Sequence, residues 1–222
     1  MTEAEWLACE DTETMLECLV KAQFPDAEPG NWGRGERKKR LFVYACLRRT
    51  WSLLPPEYKN IVAVFERVSD GAVGDETRHA DWLAAESVRW EHDNLLFALG
   101  YDDIGLLCSI AAGIAARHTS EQSRAVRETQ TWRPKEHQEQ TAILRDIFGN
   151  PFRSVQPGHW ITPAAVSVAR DCYDRRDFTA LPLLADLLEE AGCPEQSVLD
   201  HCRQPGEHVR GCWVVDLILG KS

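Results

Sequence analysis

Residues 181–192 read Leu181-Pro182-Leu183-Leu184-Ala185-Asp186-Leu187-Leu188-Glu189-Glu190-Ala191-Gly192. Leu181, Leu184, Ala185, Leu188 and Ala191 recur at steps of three and four, so they share one face of a helix. Asp186, Glu189 and Glu190 fall on the polar side, and Gly192 follows the last turn, where a helix commonly stops. Carboxylates so placed can act as acid and base or hold a hard cation. The polar side of an amphipathic helix is the simpler account of them.

The same pattern extends in both directions. Thr2 and Glu5 form a capping box ahead of Trp6-Leu7-Ala8, and Asp11 or Thr12 can open a second helix with Met15, Leu16, Leu19 and Val20 inward. A third helix is expected from about Gly35 to Leu54, stopped by Pro55-Pro56. Its centre, Leu41 to Leu47, is apolar all round and therefore buried. Pro56 opens another helix. Residues 75–100 and 102–118 read as two more, with Asp102 and Asp103 at the favoured acidic end of the second. Ile143, Leu144, Ile147 and Phe148 form an apolar face that Gly149-Asn150-Pro151 terminates. Thr162-Pro163 opens a helix through Tyr173, and Pro194 opens a short one with Val198, Leu199 and Cys202 inward. The run from Cys212 to Leu219 is rich in Val and Ile, which suits a strand, but no strand partner is visible and helix is preferred. Without hairpin signals or alternating runs, the sequence predicts an all-α, multi-helix bundle of about ten helices. Its expected parts are residues 1–119, a polar connector at 120–140, and residues 141–222, unless the whole is one continuous domain.

The 222 residues are 44% apolar and 27% charged, enough to build a core without disulfides. A net charge of −10 repels nucleic-acid phosphates and anionic membranes. No apolar stretch reaches the roughly 20 residues that span a bilayer. The acidic start lacks the basic-then-apolar pattern of a signal peptide, and the eight cysteines have no framework spacing. A cytoplasmic protein with reduced thiols is expected.

Several blocks resemble a multi-copy family of uncharacterised bacterial proteins. They are Met1-Thr2-Glu3-Ala4-Glu5-Trp6-Leu7, Leu41 to Trp51, Ile143 to Arg153, Leu181 to Cys193, and the tail from His201 to Lys221. Residues 60–140 have no counterpart in that resemblance. Relatives often pair cysteines where this chain has Cys46-Leu47, which argues against metal or redox chemistry at Cys46. The family has no established activity, so the resemblance implies no catalytic residue. The Leu181 to Cys193 block also looks like a short helical module found beside repeat proteins, which implies an interaction role.

The tail His201-Cys202-Arg203-Gln204-Pro205-Gly206-Glu207-His208-Val209-Arg210-Gly211-Cys212-Trp213 is the densest in chemistry. With a helix starting near His208, His208 and Cys212 lie one turn apart and can chelate an ion, with His201 or Cys202 as further ligands across the Pro-Gly turn. Zinc is the ion such donors suit, although the spacing matches no standard zinc pattern. The competing reading, and the favoured one, makes Cys202 and Cys212 core residues and leaves the chain without a cofactor. A Cys212 nucleophile served by His208 lacks an orienting group. Arg210 is expected to face outward.

A basic segment, Arg34 to Arg40 with Arg48 and Arg49, follows Trp32. Trp32, Arg37, Lys38 and Arg40 could stack a base and hold phosphates, but a solvated helix start paired with carboxylates is the simpler account. Gly30 to Gly35 lacks the spacing of a nucleotide-binding loop. Core packing accounts for Trp51, Trp82 and Trp90, whereas Trp32 and loop-borne Trp160 are expected to be exposed contact residues. The preferred function is a non-catalytic cytosolic helical interaction or scaffold module with a protein partner. The alternatives are a metal- or thiol-dependent enzyme using His201, Cys202, His208 and Cys212, and a nucleic-acid-associated protein using residues 34–49.

Overall fold

The computed structural model describes residues 1–23, 37–49, 51–53, 56–69 and 129–221. Every regular element among them is helical: α1 (Glu3–Ala8), α2 (Thr12–Gln23), α3 (Arg37–Arg49), a 3-10 turn (Trp51–Leu53), α4 (Pro56–Ser69), α5 (Thr129–Phe148), α6 (Pro163–Arg175), α7 (Leu181–Glu190), α8 (Gln196–Arg203) and α9 (Trp213–Leu219). The protein is all-α in these residues. The helices expected at 75–100 and 102–118, and Trp32, Trp82 and Trp90, lie outside the described residues. Residues 129–140 of the expected connector are the first turns of α5.

The chain divides into two compact units, one made of Met1–Ala8 with Ala142–Ser222 and the other of Cys9–Thr141. In the second unit, α3 packs against α4. Leu41 through Leu47 are all buried, as an all-round apolar helix centre requires. Arg48 donates to Glu66 through Nη2 at 2.7 Å and lies 4.4 Å from the Trp51 ring centre.

The first unit opens with the expected capping box. The Thr2 amide donates to Glu5 Oε2 at 2.7 Å, and the Glu5 amide donates back to Thr2 Oγ1 at 3.3 Å. This short helix buries Trp6 completely, and Arg145 of α5 donates to the Trp6 carbonyl at 2.8 Å. Arg153 and then Asn150 donate to the Glu3 carboxylate and hold its pKa below the usual range. The two chain segments that make up this unit are thereby tied together.

Its main core forms where α6, α7, α8 and α9 meet. Thr162 caps α6 by accepting from the Ala165 amide at 3.2 Å, and Pro163 supplies the preset first turn. The stripe of α7 is buried at Leu181, Leu184, Ala185 and Leu188, against Val198, Leu199 and Cys202 of α8 and Val214, Val215 and Ile218 of α9. Helix α8 starts at Gln196, two residues after Pro194, and the segment after Cys212 is a helix, as preferred from its length. Trp160 is only 2% exposed and belongs to this core. The expected exposed contact residue is instead a packing residue: its loop folds inward, where burying a large aromatic ring outweighs leaving it in water.

Two helix ends illustrate how glycine sets the chain direction. After α7, Gly192 adopts φ +81° while Cys193 donates to Leu188 and Gly192 to Glu189, closing a Schellman motif. After α5, Gly149 adopts φ +65° and donates to the Arg145 carbonyl at 3.0 Å. Open space surrounds the Cβ position of Gly192, whereas a Cβ on Gly149 would come within 3.1 Å of the Trp213 ring. Gly192→Ala is therefore expected to lose about 1–2 kcal/mol from the left-handed backbone alone. Gly149→Ala should lose about 1–3 kcal/mol beyond that, through overpacking against Trp213. Urea denaturation of the two variants measures the difference, and equal losses would mean that Trp213 moves aside at no cost.

Candidate metal centre

The last turns of α5 bring Asp146 into the first unit beside Ile143, Leu144 and Ile147, all buried. A carboxylate there opposes the helix dipole, whose negative end lies at the C-terminus. It is also only 3% exposed, so it requires partners of its own. They come from the tail. His208 Nδ1 lies 2.6 Å and His201 Nε2 3.1 Å from Asp146 Oδ1. The Val209 amide donates to Asp146 Oδ2 at 2.9 Å, so one carboxylate oxygen is fixed by backbone and the other faces both imidazoles. Burial pushes the Asp146 carboxyl up. The hydrogen bonds to His201 and His208 outweigh that push and hold it below its usual value.

His201 sits on the inward face of α8 with Val198, Leu199 and Cys202. Its Nε2 is also 3.2 Å from Cys212 Sγ, and its Nδ1 is 3.2 Å from the Gln204 side-chain amide. Cys212 is fully buried at the N-cap position of α9, where the first-turn amides of Val215 and Val214 favour a thiolate. Its thiol is nevertheless pushed well up, first by burial and then by the Asp146 charge. The two imidazole rings meet edge to face with centres 5.0 Å apart, and Trp213 lies 5.3 Å from His201. His208 Nε2 is shielded from solvent and has no hydrogen-bond partner among the described residues, an arrangement that costs about 1–3 kcal/mol.

One donor atom from each of Asp146, His201, His208 and Cys212 therefore converges, all four lying within 4.8 Å of one another. A tetrahedral zinc ion with bonds of about 2.0–2.3 Å holds its donors roughly 3.3–3.8 Å apart, so small side-chain adjustments suffice. The chemistry also fits. A carboxylate and a thiolate neutralise a divalent cation, and two neutral imidazoles complete four-coordination. The Val209 amide on the far oxygen of Asp146 is an outer contact of the kind that orients metal ligands. Gln204 stands 3.2 Å from the far nitrogen of His201, where turning its side-chain amide over would present an oxygen to the N–H of a metal-bound imidazole.

Three of the four tail residues singled out from sequence meet here, but not as a helical pair. Helix α9 starts at Trp213, and His208 to Gly211 form the turn before it. His208 reaches the site because residues 204–211 fold back onto α5. The fourth, Cys202, is not part of the donor group. It is buried in the α7–α8 core, and burial first, then the Asp146 charge, raises its thiol to about 12. Asp146 was missed from sequence, although an acid within the stripe Ile143, Leu144, Ile147 at a helix C-terminus was its available signal. Arg210 does not face outward. It is half-buried, donates to the Tyr173 carbonyl at 3.3 Å and lies 4.7 Å from that ring, where cation–π attraction and a carbonyl replace water. Arg37, Lys38 and Arg40 are partly buried on α3, and each interacts with another group. Asp186 and Glu189 are bridged by Arg203 at 2.7 and 2.6 Å on the exposed side of α7.

No family model, curated protein or solved structure matches the chain.

Thiol chemistry offers a direct check of this geometry. In the folded protein, Cys202 and Cys212 should resist alkylation at neutral pH, because only the thiolate reacts and both sulfurs are shielded. Half-buried Cys9 and Cys18 should be modified first. Mass spectrometry of peptides after timed iodoacetamide treatment, with and without urea, resolves the order. Modification of Cys212 in the native protein at the rate of Cys9 would contradict its placement.

Proposed function

We propose that this chain is a non-catalytic helical module whose C-terminal unit is fastened by a single divalent metal ion, zinc by its donor set, and which serves as a scaffold for a protein partner. The observation that carries the reading is the convergence of Asp146, His201, His208 and Cys212 within 4.8 Å. Four protein donors make a closed site, the pattern of structural rather than catalytic zinc. Asp146, His201 and Cys212 are buried, so substrate has little access. The ion would connect α5, α8, the 204–211 turn and the start of α9, adding to the hydrogen bonds and ring contacts by which they meet at this point.

A zinc thiolate needs a reducing compartment, and every cysteine among the described residues is a free thiol. That supports the cytosol as its setting. No helix among the described residues is long and apolar enough to cross a membrane. Exposed Leu7, Phe152 and Leu183 give the first unit apolar surface for a partner. The nucleic-acid alternative draws no support from Arg37, Lys38 and Arg40, which interact within the protein, or from the net charge of −10.

Purified protein should carry about one zinc per chain by elemental analysis. Cobalt substitution should produce the intense near-ultraviolet sulfur-to-cobalt band of a thiolate ligand, and Cys212→Ala should abolish it while Cys202→Ala leaves it intact. Removing the metal with a chelator should lower Tm by several degrees, since an ion that binds only the folded state stabilises it. A folded wild-type protein that takes up neither zinc nor cobalt would refute the proposal.

A further inference from the structure

The four donors are not equivalently supported. All four side chains are enclosed, and Asp146 and His201 each have a second contact on the atom that faces away from the site. Asp146 has the Val209 amide on its other oxygen, and His201 has Gln204 beside its other nitrogen, while Cys212 is fixed by its buried place at the N-cap of α9. His208 has no such contact. Its far nitrogen, Nε2, is enclosed and without a partner among the described residues. When Nδ1 binds a metal, Nε2 must carry the proton, so the enclosed atom becomes a hydrogen-bond donor with no acceptor. Ligating histidines ordinarily place that proton on a carboxylate, carbonyl or water.

His208 also differs in where it is attached. The other donors belong to α5, α8 and the N-cap of α9. His208 stands in the irregular turn between Gly206 and Gly211, with its side chain as enclosed as that of His201. The turn does not depend on the His208 side chain for its position, because the neighbouring Val209 amide is bound to Asp146 Oδ2.

Building on the metal reading, we propose that the site is three plus one. Asp146, His201 and Cys212 are its fixed donors, and His208 is an exchangeable donor whose place a small neutral nitrogen ligand can take. Charge selects that class of ligand. A divalent ion with the Asp146 carboxylate and the Cys212 thiolate is already neutral, and an added anion would leave net charge in a buried site. A neutral imidazole-type nitrogen preserves the balance and matches the shape that His208 vacates beside Phe178 and His201, whose ring centres lie 6.5 and 5.0 Å from its own. Exchange would free the 207–208 portion of the turn while Val209 stays anchored.

The test uses the full chain loaded with cobalt, and the probe is imidazole. His208→Ala should retain one cobalt per chain with affinity lowered no more than 10–100-fold, the range of a lost outer contact, and should keep the sulfur-to-cobalt band. Added imidazole should shift its visible d–d bands saturably and restore affinity, and azide should bind more weakly than imidazole. His201→Ala should lose at least a further tenfold in cobalt affinity, and imidazole should not restore it. Loss of cobalt by His208→Ala as severe as that of His201→Ala, or tighter binding of azide than of imidazole, would overturn the inference. Should His208→Ala fail to fold, the wild type decides: imidazole should shift its cobalt spectrum, and an unchanged spectrum at saturating imidazole overturns the inference. Failure of the wild type to bind cobalt at all would sink the metal reading itself, and this inference with it.

Discussion

A carboxylate in a protein interior is unfavourable unless its charge is answered, and Asp146 is placed where nothing on its own helix can answer it. It lies near the C-terminal end of α5, against the dipole and among Ile143, Leu144 and Ile147. Everything around it can be understood as the answer. Two imidazoles face one oxygen, a backbone amide holds the other, and the Cys212 thiol stands beside the His201 imidazole. The fold of residues 201–212 is thereby constrained. The turn after α8 must return to α5 for the Val209 amide to reach Asp146 Oδ2, and α9 must begin where its N-cap sulfur meets His201.

The helices themselves were largely legible in the sequence, because their determinants are local. The Thr2–Glu5 box, the Thr162-Pro163 start, the stripe from Leu181 to Leu188 and the stop at Gly149 each act within four residues of where they are read. The site was only partly legible. His201, His208 and Cys212 stand out because chemical residues are dense there. Reading His208 and Cys212 as a helical pair failed because the helix begins at Trp213, after a turn whose path is set by a contact sixty-three positions away. Asp146 escaped for the same reason: a lone acid in a helix gives no hint of what lies across from it.

Trp160 and Arg210 teach a related lesson about loops. Both stand in irregular segments, where exposure is the default expectation. Trp160 is instead enclosed by the core of α6 to α9, and Arg210 packs over Tyr173 with its guanidinium on a backbone carbonyl. In each case a large flat side chain finds a surface that local sequence does not announce. Cys202 and Cys212 show the converse. They are ten positions apart with similar surroundings in sequence, yet one serves packing and the other meets three further donor groups.

The separation of Asp146 from its partners along the chain bears on how the protein is made. His201 and Cys212 are eleven positions apart, whereas Asp146 and His208 are sixty-two apart. During synthesis at about 5–20 residues per second, Asp146 is made on the order of ten seconds before Cys212. Until His201 is made, α5 carries a carboxylate with none of its eventual partners. Closure of this unit around Asp146 waits for the tail to arrive.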